Sequence, residues 1–202
     1  MKAIQLSRDE MLKRVATFDS LTRSRGGFAD SEIETCERVL LNVLGYEKPD
    51  AIDGKAVVSP LGDASDASAI PISEGINIGF VECTPGNGVA THNHDTNETF
   101  TVISGLWRFT WNDDDVEFIE LGPLDSVSFP AGLERRFTNL ASDDGTDGPS
   151  LLLVAVAGNA PGAWFRQEFL DEARRDGKYT PQVDRRLGLQ PLTMPAAVVT
   201  RD

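Results

Sequence analysis

Gly86-Asn-Gly-Val-Ala-Thr-His92-Asn-His94-Asp-Thr-Asn-Glu98-Thr-Phe-Thr-Val-Ile-Ser-Gly105 holds both histidines of the 202-residue chain. Any chemistry that needs an imidazole must therefore happen in this stretch. Side chains alternate between faces along a strand, so His92 and His94, two residues apart, project to the same side. Glu98 shares their parity, and a bend near residues 95–97 brings its carboxylate round to the two rings. Two imidazoles and one carboxylate on one face, with positions left for water or substrate, make the facial-triad arrangement typical of non-haem iron; the same donors suit Mn, Ni, Co or Zn. The expected metal ligands are His92, His94 and Glu98, and the expected cofactor is a divalent ion (Fe, Mn, Ni or Zn).

Outward from this stretch the hydrophobic period is two. Strands are expected at 76–81, 98–103, 107–111, 116–121, 126–129, 134–138 and 151–156. Turn residues separate them: Pro85-Gly86-Asn87-Gly88, Ser104-Gly105, Gly122-Pro123, Ala131-Gly132 and a polar loop at 142–150. Short strands punctuated this regularly indicate an all-β sandwich or barrel. The aspartates at 113–115 and 143–147 read as solvated loops, since neither run has the spacing of a calcium-binding EF-hand.

The flanks read differently. Residues 7–21 carry a capping-box spacing (Ser7, Glu10) and apolar positions at Met11, Leu12, Val15 and Phe18, which predicts a helix. Residues 31–44 repeat the signal with Ser31 and Glu34 as cap, a stripe through Ile33, Cys36, Leu40, Val43 and Leu44, and Gly45 as stop. Residues 62–68 read as loop. A third helix is expected from Pro161 to Gly177, with Trp164, Phe165, Phe169 and Leu170 facing one way, followed by an irregular tail at 178–202.

Composition narrows the partners. Nineteen Lys and Arg against 32 Asp and Glu give a formal charge of −13. Such a chain repels phosphate backbones and anionic lipid, and no basic patch exceeds pairs such as Arg174-Arg175 and Arg185-Arg186. Neither nucleic acid nor a membrane is expected as a partner, and no apolar run approaches the ~18 residues of a membrane span. Residues 1–10 show no stretch of signal-peptide type, and the two cysteines, Cys36 and Cys83, are too few for a disulfide framework. A reducing cytoplasm with two small buried thiols is the expectation. Asn97-Glu98-Thr99 is an accidental glycosylation sequon on this reading, and Gly86-x-Gly88 is turn chemistry without the rest of a dinucleotide fingerprint.

The opening stretch resembles the first signature of the cupin superfamily, G-x5-H-x-H-x3-E-x6-G, with Gly86, His92, His94, Glu98 and Gly105 filling every fixed position. The resemblance covers roughly residues 70–157. It implies an all-β double-stranded β-helix (jelly-roll) barrel at 70–158. An N-terminal helical and irregular extension at 1–69 and a C-terminal helix and tail at 159–202 would pack around it. Cupins are often dimeric, so a homodimer is implied. The second signature, G-x5-P-x-G-x2-H-x3-N, is only partly kept: Pro130, Gly132 and Asn139 are in place, Leu124 stands at the leading glycine, and Arg135 replaces the histidine that is the family's fourth ligand.

Arginine keeps its proton and cannot ligate a metal. An Arg135 charge ~5 Å from a divalent ion that Glu98 has offset to about one net charge meets a repulsion of roughly 3 kcal/mol at an effective dielectric of ~20, about two decades of affinity. Two arrangements stay open. Either His92, His94 and Glu98 hold an ion with Arg135 turned away, or Arg135 reaches Glu98 as a buried bidentate pair and no metal binds. In both, Arg135 can serve as a clamp for a substrate carboxylate. Arg136 falls on the opposite face. Trp107, Phe109 and Trp111 share a face that the cupin pattern turns inward, with Phe100, Val102, Val127, Phe129 and Phe137 beside them, a wall suited to an aromatic or other apolar organic acid.

Three functions follow from this resemblance. The first is a metal-dependent enzyme of dioxygenase or isomerase type acting on a small organic molecule. The second is a metal-free small-molecule-binding cupin in which Arg135 recognises an anion. The third, ranked last, is a sugar-nucleotide epimerase of related jelly-roll fold, which needs a catalytic His–Asp pair inside the barrel.

Overall fold

The computed structural model describes residues 3–28, 30–31, 33, 35–51, 57–112, 116–166, 171 and 175. Among these residues eleven strands are present: β1 (Arg23–Ser24), β2 (Val39–Leu44), β3 (Ile76–Cys83), β4 (His92–His94), β5 (Glu98–Val102), β6 (Leu106–Trp111), β7 (Glu117–Leu121), β8 (Ser126–Phe129), β9 (Arg135–Ala141), β10 (Ser150–Ala157) and β11 (Ala163–Phe165). They form a six-stranded sheet in the order β1-β2-β3-β10-β5-β8 and a five-stranded sheet in the order β11-β4-β9-β6-β7. The strands named here pair antiparallel throughout, and the two sheets face one another as a double-stranded β-helix.

The alternation read from the sequence is the alternation of burial. In β10 every second residue from Ser150 to Val156 is buried, and β3 and β5 follow the same rule. Phe100, Val102, Trp107, Phe109, Phe129 and Phe137 meet Val81, Leu152, Val154 and Val156 in one core. The ring of Phe100 lies 5.3 Å from both Phe109 and Phe137, so the aromatic wall is a packed interior. Gly105, the last fixed residue of the first signature, has φ 84°, and a Cβ there would sit 2.1 Å from Ser150 Oγ. Both the left-handed turn and the close approach demand glycine.

The helical expectations are corrected by the tertiary environment. The capping box of Ser7 and Glu10 is formed, but the helix spans only Arg8–Leu12, with a separate 3₁₀ turn at Phe18–Ser20. Met11, Leu12 and Val15 stay exposed, and a short helix that buries no stripe has nothing to extend it. Val39–Leu44 is strand β2 where a helix was expected. Its run of apolar residues fits either state, and pairing with the open edge of β3 decides: Leu40 opposite Val81 enters the barrel core, while Val39 and Leu41 pack with Leu21 on the other face.

After Pro161 the chain forms β11, adding Ala163–Phe165 to β4. Asp171 and Arg175 are helical, and the rest of the expected helix and the tail lie outside the described residues. Gly62–Ala67, read as loop, is 3₁₀ helix. Helices are therefore minor, and none among the described residues is long and apolar enough to cross a membrane. Of the acidic runs, 143–147 is an exposed loop and 113–115 lies outside the described residues. Cys36 and Cys83 are free and buried, and burial pushes both thiols up to about 12.

Candidate metal centre

His92 and His94 stand at the two ends of β4, both facing inward, and Glu98 opens β5 in the opposite sheet. The crossing at 95–97 is pinned by Asn97, whose Nδ2 donates to Ser128 Oγ and to the Phe129 carbonyl, each at 2.9 Å. This is the bend that the parity argument required. The ligand atoms of the three residues lie within 4.8 Å of one another, and all three side chains are buried. No other cluster of three or more metal-ligating side chains of this kind occurs among the described residues.

The imidazoles have a defined tautomer. His92 Nδ1 lies 2.8 Å from the Ala90 carbonyl and His94 Nδ1 lies 2.8 Å from the Gly162 carbonyl. A carbonyl oxygen only accepts, so each Nδ1 carries a proton and, wherever the ring is neutral, Nε2 keeps its lone pair. Metal-ligating histidines are oriented in this way by partners on their other nitrogen. Burial, reinforced by the charge of Arg135, holds His92 well below the usual histidine range, so its ring is neutral.

His94 Nε2 lies 3.4 Å from Glu98 Oε2, close to the ~3–3.5 Å that neighbouring ligands of one ion at ~2.1 Å adopt. The widest separation in the trio, up to 4.8 Å, exceeds that spacing by about 1.3–1.8 Å. The donor chemistry fits a divalent ion, and the geometry needs a small contraction to grip one.

Arg135, opposite His92 in β9, is 1% exposed. Its Nε and Nη2 both donate to Glu98 Oε2, at 3.1 and 2.6 Å, and Nη1 donates to the Leu133 carbonyl at 3.2 Å. The contact is thus two donors on a single oxygen and differs from the bidentate fork expected of a pair. Among the described residues no hydrogen bond reaches Glu98 Oε1, so the carboxylate retains acceptor capacity. Burial pushes the Glu98 carboxyl up to about 8 and brings the Arg135 guanidinium down to about 9.

A cavity of about 20 Å³ adjoins the trio, room for one or two water-sized molecules. Phe28, Arg38, Leu61, Phe100, Phe137 and Phe165 form much of its wall. Of the residues expected in the ligand wall, Phe100 and Phe137 line it. Trp107 and Phe109 are fully buried core, with Trp107 Nε1 donating to the Ser104 carbonyl at 2.8 Å; Trp111 is half-buried against the core, and Arg135 is turned to Glu98. Phe28, Arg38, Leu61 and Phe165 were not foreseen. They come from segments before and after the signature stretch, and only the folded chain brings them to it.

Residues 79–146 match the family model described as cupin domain. No curated protein sequence matches the chain. Among solved structures the chain is similar to that reported for the DMSP lyases RdDddP and RnDddQII, at 16% identity and TM-score 0.51, covering 73% of this chain and 63% of that one. It is also similar to a sugar phosphate isomerase from a cupin superfamily of Silicibacter pomeroyi, at 21% identity and TM-score 0.47, covering 75% and 80% of the two chains. A structure of FeII HppE aligns at 14% identity and TM-score 0.42, covering 70% and 59%. The chain thus spans less than two thirds of the DMSP lyase structure, and identities this low speak to fold alone. Over residues 79–146 the chain thus matches a cupin-domain model, its two sheets form a double-stranded β-helix barrel, and a candidate His-His-Glu site lies inside it.

Proposed function

We propose that the protein is a metal-dependent cupin enzyme that acts on a small organic substrate by dioxygenase- or isomerase-type chemistry. The observation that carries this reading is the pair of Nδ1 contacts, 2.8 Å each, which free both Nε2 lone pairs beside a buried carboxylate. A bound divalent ion (Fe, Mn, Ni or Zn) supplies Lewis acidity or redox capacity toward a hydroxyl, carboxylate or carbonyl oxygen. His92, His94 and Glu98 are the residues that would hold it. Arg135 keeps Glu98 in place through Oε2, and the aromatic wall at Phe28, Phe100, Phe137 and Phe165 shields the site from bulk solvent. A cavity of about 20 Å³ is smaller than an organic acid, so substrate entry requires that wall to move.

The two short bonds from Arg135 to Glu98 favour a second reading, a metal-free cupin that binds an organic anion. Elemental analysis of protein purified without added metal or affinity tag separates them. Near-stoichiometric metal that disappears in His92→Ala supports the enzyme. Metal-free protein that binds an organic acid, and loses it in Arg135→Ala, supports the second reading. The proposed assembly is a homodimer, which sedimentation equilibrium tests.

A further inference from the structure

Asp30, Thr35, Glu37 and Arg38 lie outside the stretch that matches the cupin domain, yet they are bonded to the turn that leads into His92. Gly88 N donates to the Thr35 carbonyl at 3.0 Å, Glu37 N donates to Asn87 Oδ1 at 3.2 Å, and Arg38 Nη1 donates to the Gly88 carbonyl at 3.4 Å. Ala90 N donates to Asp30 Oδ2 at 2.9 Å. That last bond sits one residue's backbone away from the metal centre, because the Ala90 carbonyl is the acceptor for His92 Nδ1.

Asp30 is itself held. Arg38 Nη2 and Nη1 donate to its two oxygens at 2.8 and 3.0 Å, Arg38 Nη1 also donates to the Cys36 carbonyl at 2.9 Å, and the guanidinium lies 4.5 Å from the centre of the Phe28 ring. Both side chains are buried. Thr35 has φ 77°, a left-handed backbone uncommon outside glycine, held where this segment turns onto Gly88. The same construction recurs at the second histidine. The Gly162 carbonyl accepts from His94 Nδ1, and Gly162 N donates to Asp95 Oδ1 at 2.9 Å. In both cases the residue that orients an imidazole through its carbonyl is anchored through its N–H by an aspartate.

We propose that the Asp30–Arg38 pair is a positioning device for His92: it fixes the Ala90 backbone and, through it, the ring orientation and the tautomer that leaves Nε2 free. This rests on the metal-site reading above and extends it, since it makes the N-terminal segment part of the metal centre. Partners on the other nitrogen of a ligating histidine change metal affinity 10–100-fold. A buried ion pair replaced by apolar side chains of similar volume leaves stability unchanged or raised, so a double substitution separates positioning from bulk stability.

The test uses the full chain with Asp30→Ala and Arg38→Met combined, read by melting temperature, by zinc affinity in competition with a chromophoric chelator, and by long-range ¹⁵N–¹H spectra of the His92 ring in zinc-free protein. The double variant is expected to fold but to melt below the parent, because the Ala90 N–H loses its acceptor, to bind zinc 10–100-fold more weakly, and to show His92 as a mixture of tautomers. A folded double variant with parental zinc affinity and a single Nδ1–H tautomer overturns the inference. If the double variant does not fold, Arg38→Lys keeps the charge and loses the fork; several-fold weaker zinc binding supports the inference and unchanged binding overturns it. A parent chain that takes up no zinc overturns the metal reading, and the His92 tautomer in the variant then decides this inference alone.

Discussion

Arg135 and Glu98 meet through one oxygen: both guanidinium donors fall on Glu98 Oε2, at 2.6 and 3.1 Å, and Oε1 receives no hydrogen bond among the described residues. The position where the cupin signature has a fourth ligand is thus occupied by a cation that holds the third. That relationship sets the behaviour expected of the site.

Arg135→His exchanges the cation for a ligand. Removal of roughly 3 kcal/mol of repulsion, estimated for charges ~5 Å apart, is expected to raise zinc affinity by one to two decades. Competition with a chromophoric chelator measures it. Equal or weaker affinity would mean that Arg135 assists the ion by holding Glu98.

Arg135→Met leaves the buried Glu98 carboxyl without its two donors, and an unsatisfied buried polar group costs about 1–3 kcal/mol. The loss should appear as a lower urea midpoint. The combined Arg135→Met and Glu98→Met variant is expected to recover most of it, because two apolar side chains need no partner.

Glu98 makes the site sensitive to pH. Burial raises its carboxyl from 4.5 to about 8. A carboxyl raised on folding contributes stability that is fully present below the unfolded value and is lost as pH rises through the folded one. Metal-free protein should therefore lose stability progressively from about pH 5 to about pH 8, and Glu98→Gln should flatten that slope. Zinc uptake runs the other way. Below about pH 8 the ion displaces one proton from Glu98, so affinity should rise about tenfold per pH unit and level off above, while His92, already neutral, adds no proton. Calorimetry in buffers of different ionisation enthalpy counts the proton; none released at pH 7 would contradict the assignment.

Leu124 occupies the glycine position of the second signature with φ 73° and 83% of its surface exposed. A left-handed L-residue costs about 1–2 kcal/mol, and glycine's extra chain entropy returns about 0.5–1 of that. Leu124→Gly should stabilise the protein by roughly 0.5–1 kcal/mol in urea denaturation, since little apolar burial is lost.

Gly88 tolerates no side chain. A Cβ there would lie 1.9 Å from the Phe137 carbonyl oxygen. Gly88→Ala is expected to cost more than about 2 kcal/mol and, four residues before His92, to weaken zinc as well. A variant with parental stability would show that the turn shifts freely.

Much of the molecule was legible in the chain itself. The seven strands expected between 76 and 156 are all present, with ends displaced by three residues or fewer, because a half-buried antiparallel strand records its inner face in every second residue. The grouping of His92, His94 and Glu98 followed from the same period and one bend. The helix expected at 31–44 did not survive, because a short apolar run satisfies helix and strand alike and only the free edge of β3 selects between them.

Local periodicity, then, determined an all-β sandwich or barrel and, with one bend, which three side chains face one another, since both depend on residues near in sequence; the resemblance to the cupin signature chose the jelly-roll barrel. The folded chain alone decided that Arg135 turns to Glu98, that the Ala90 and Gly162 carbonyls set the histidine tautomers, and that Phe28, Arg38 and Leu61 close the cavity. These contacts join residues that the sequence keeps far apart or that carry no periodic mark, and pairing across such distances is settled by which surfaces and hydrogen-bonding groups remain open once the sheets have formed.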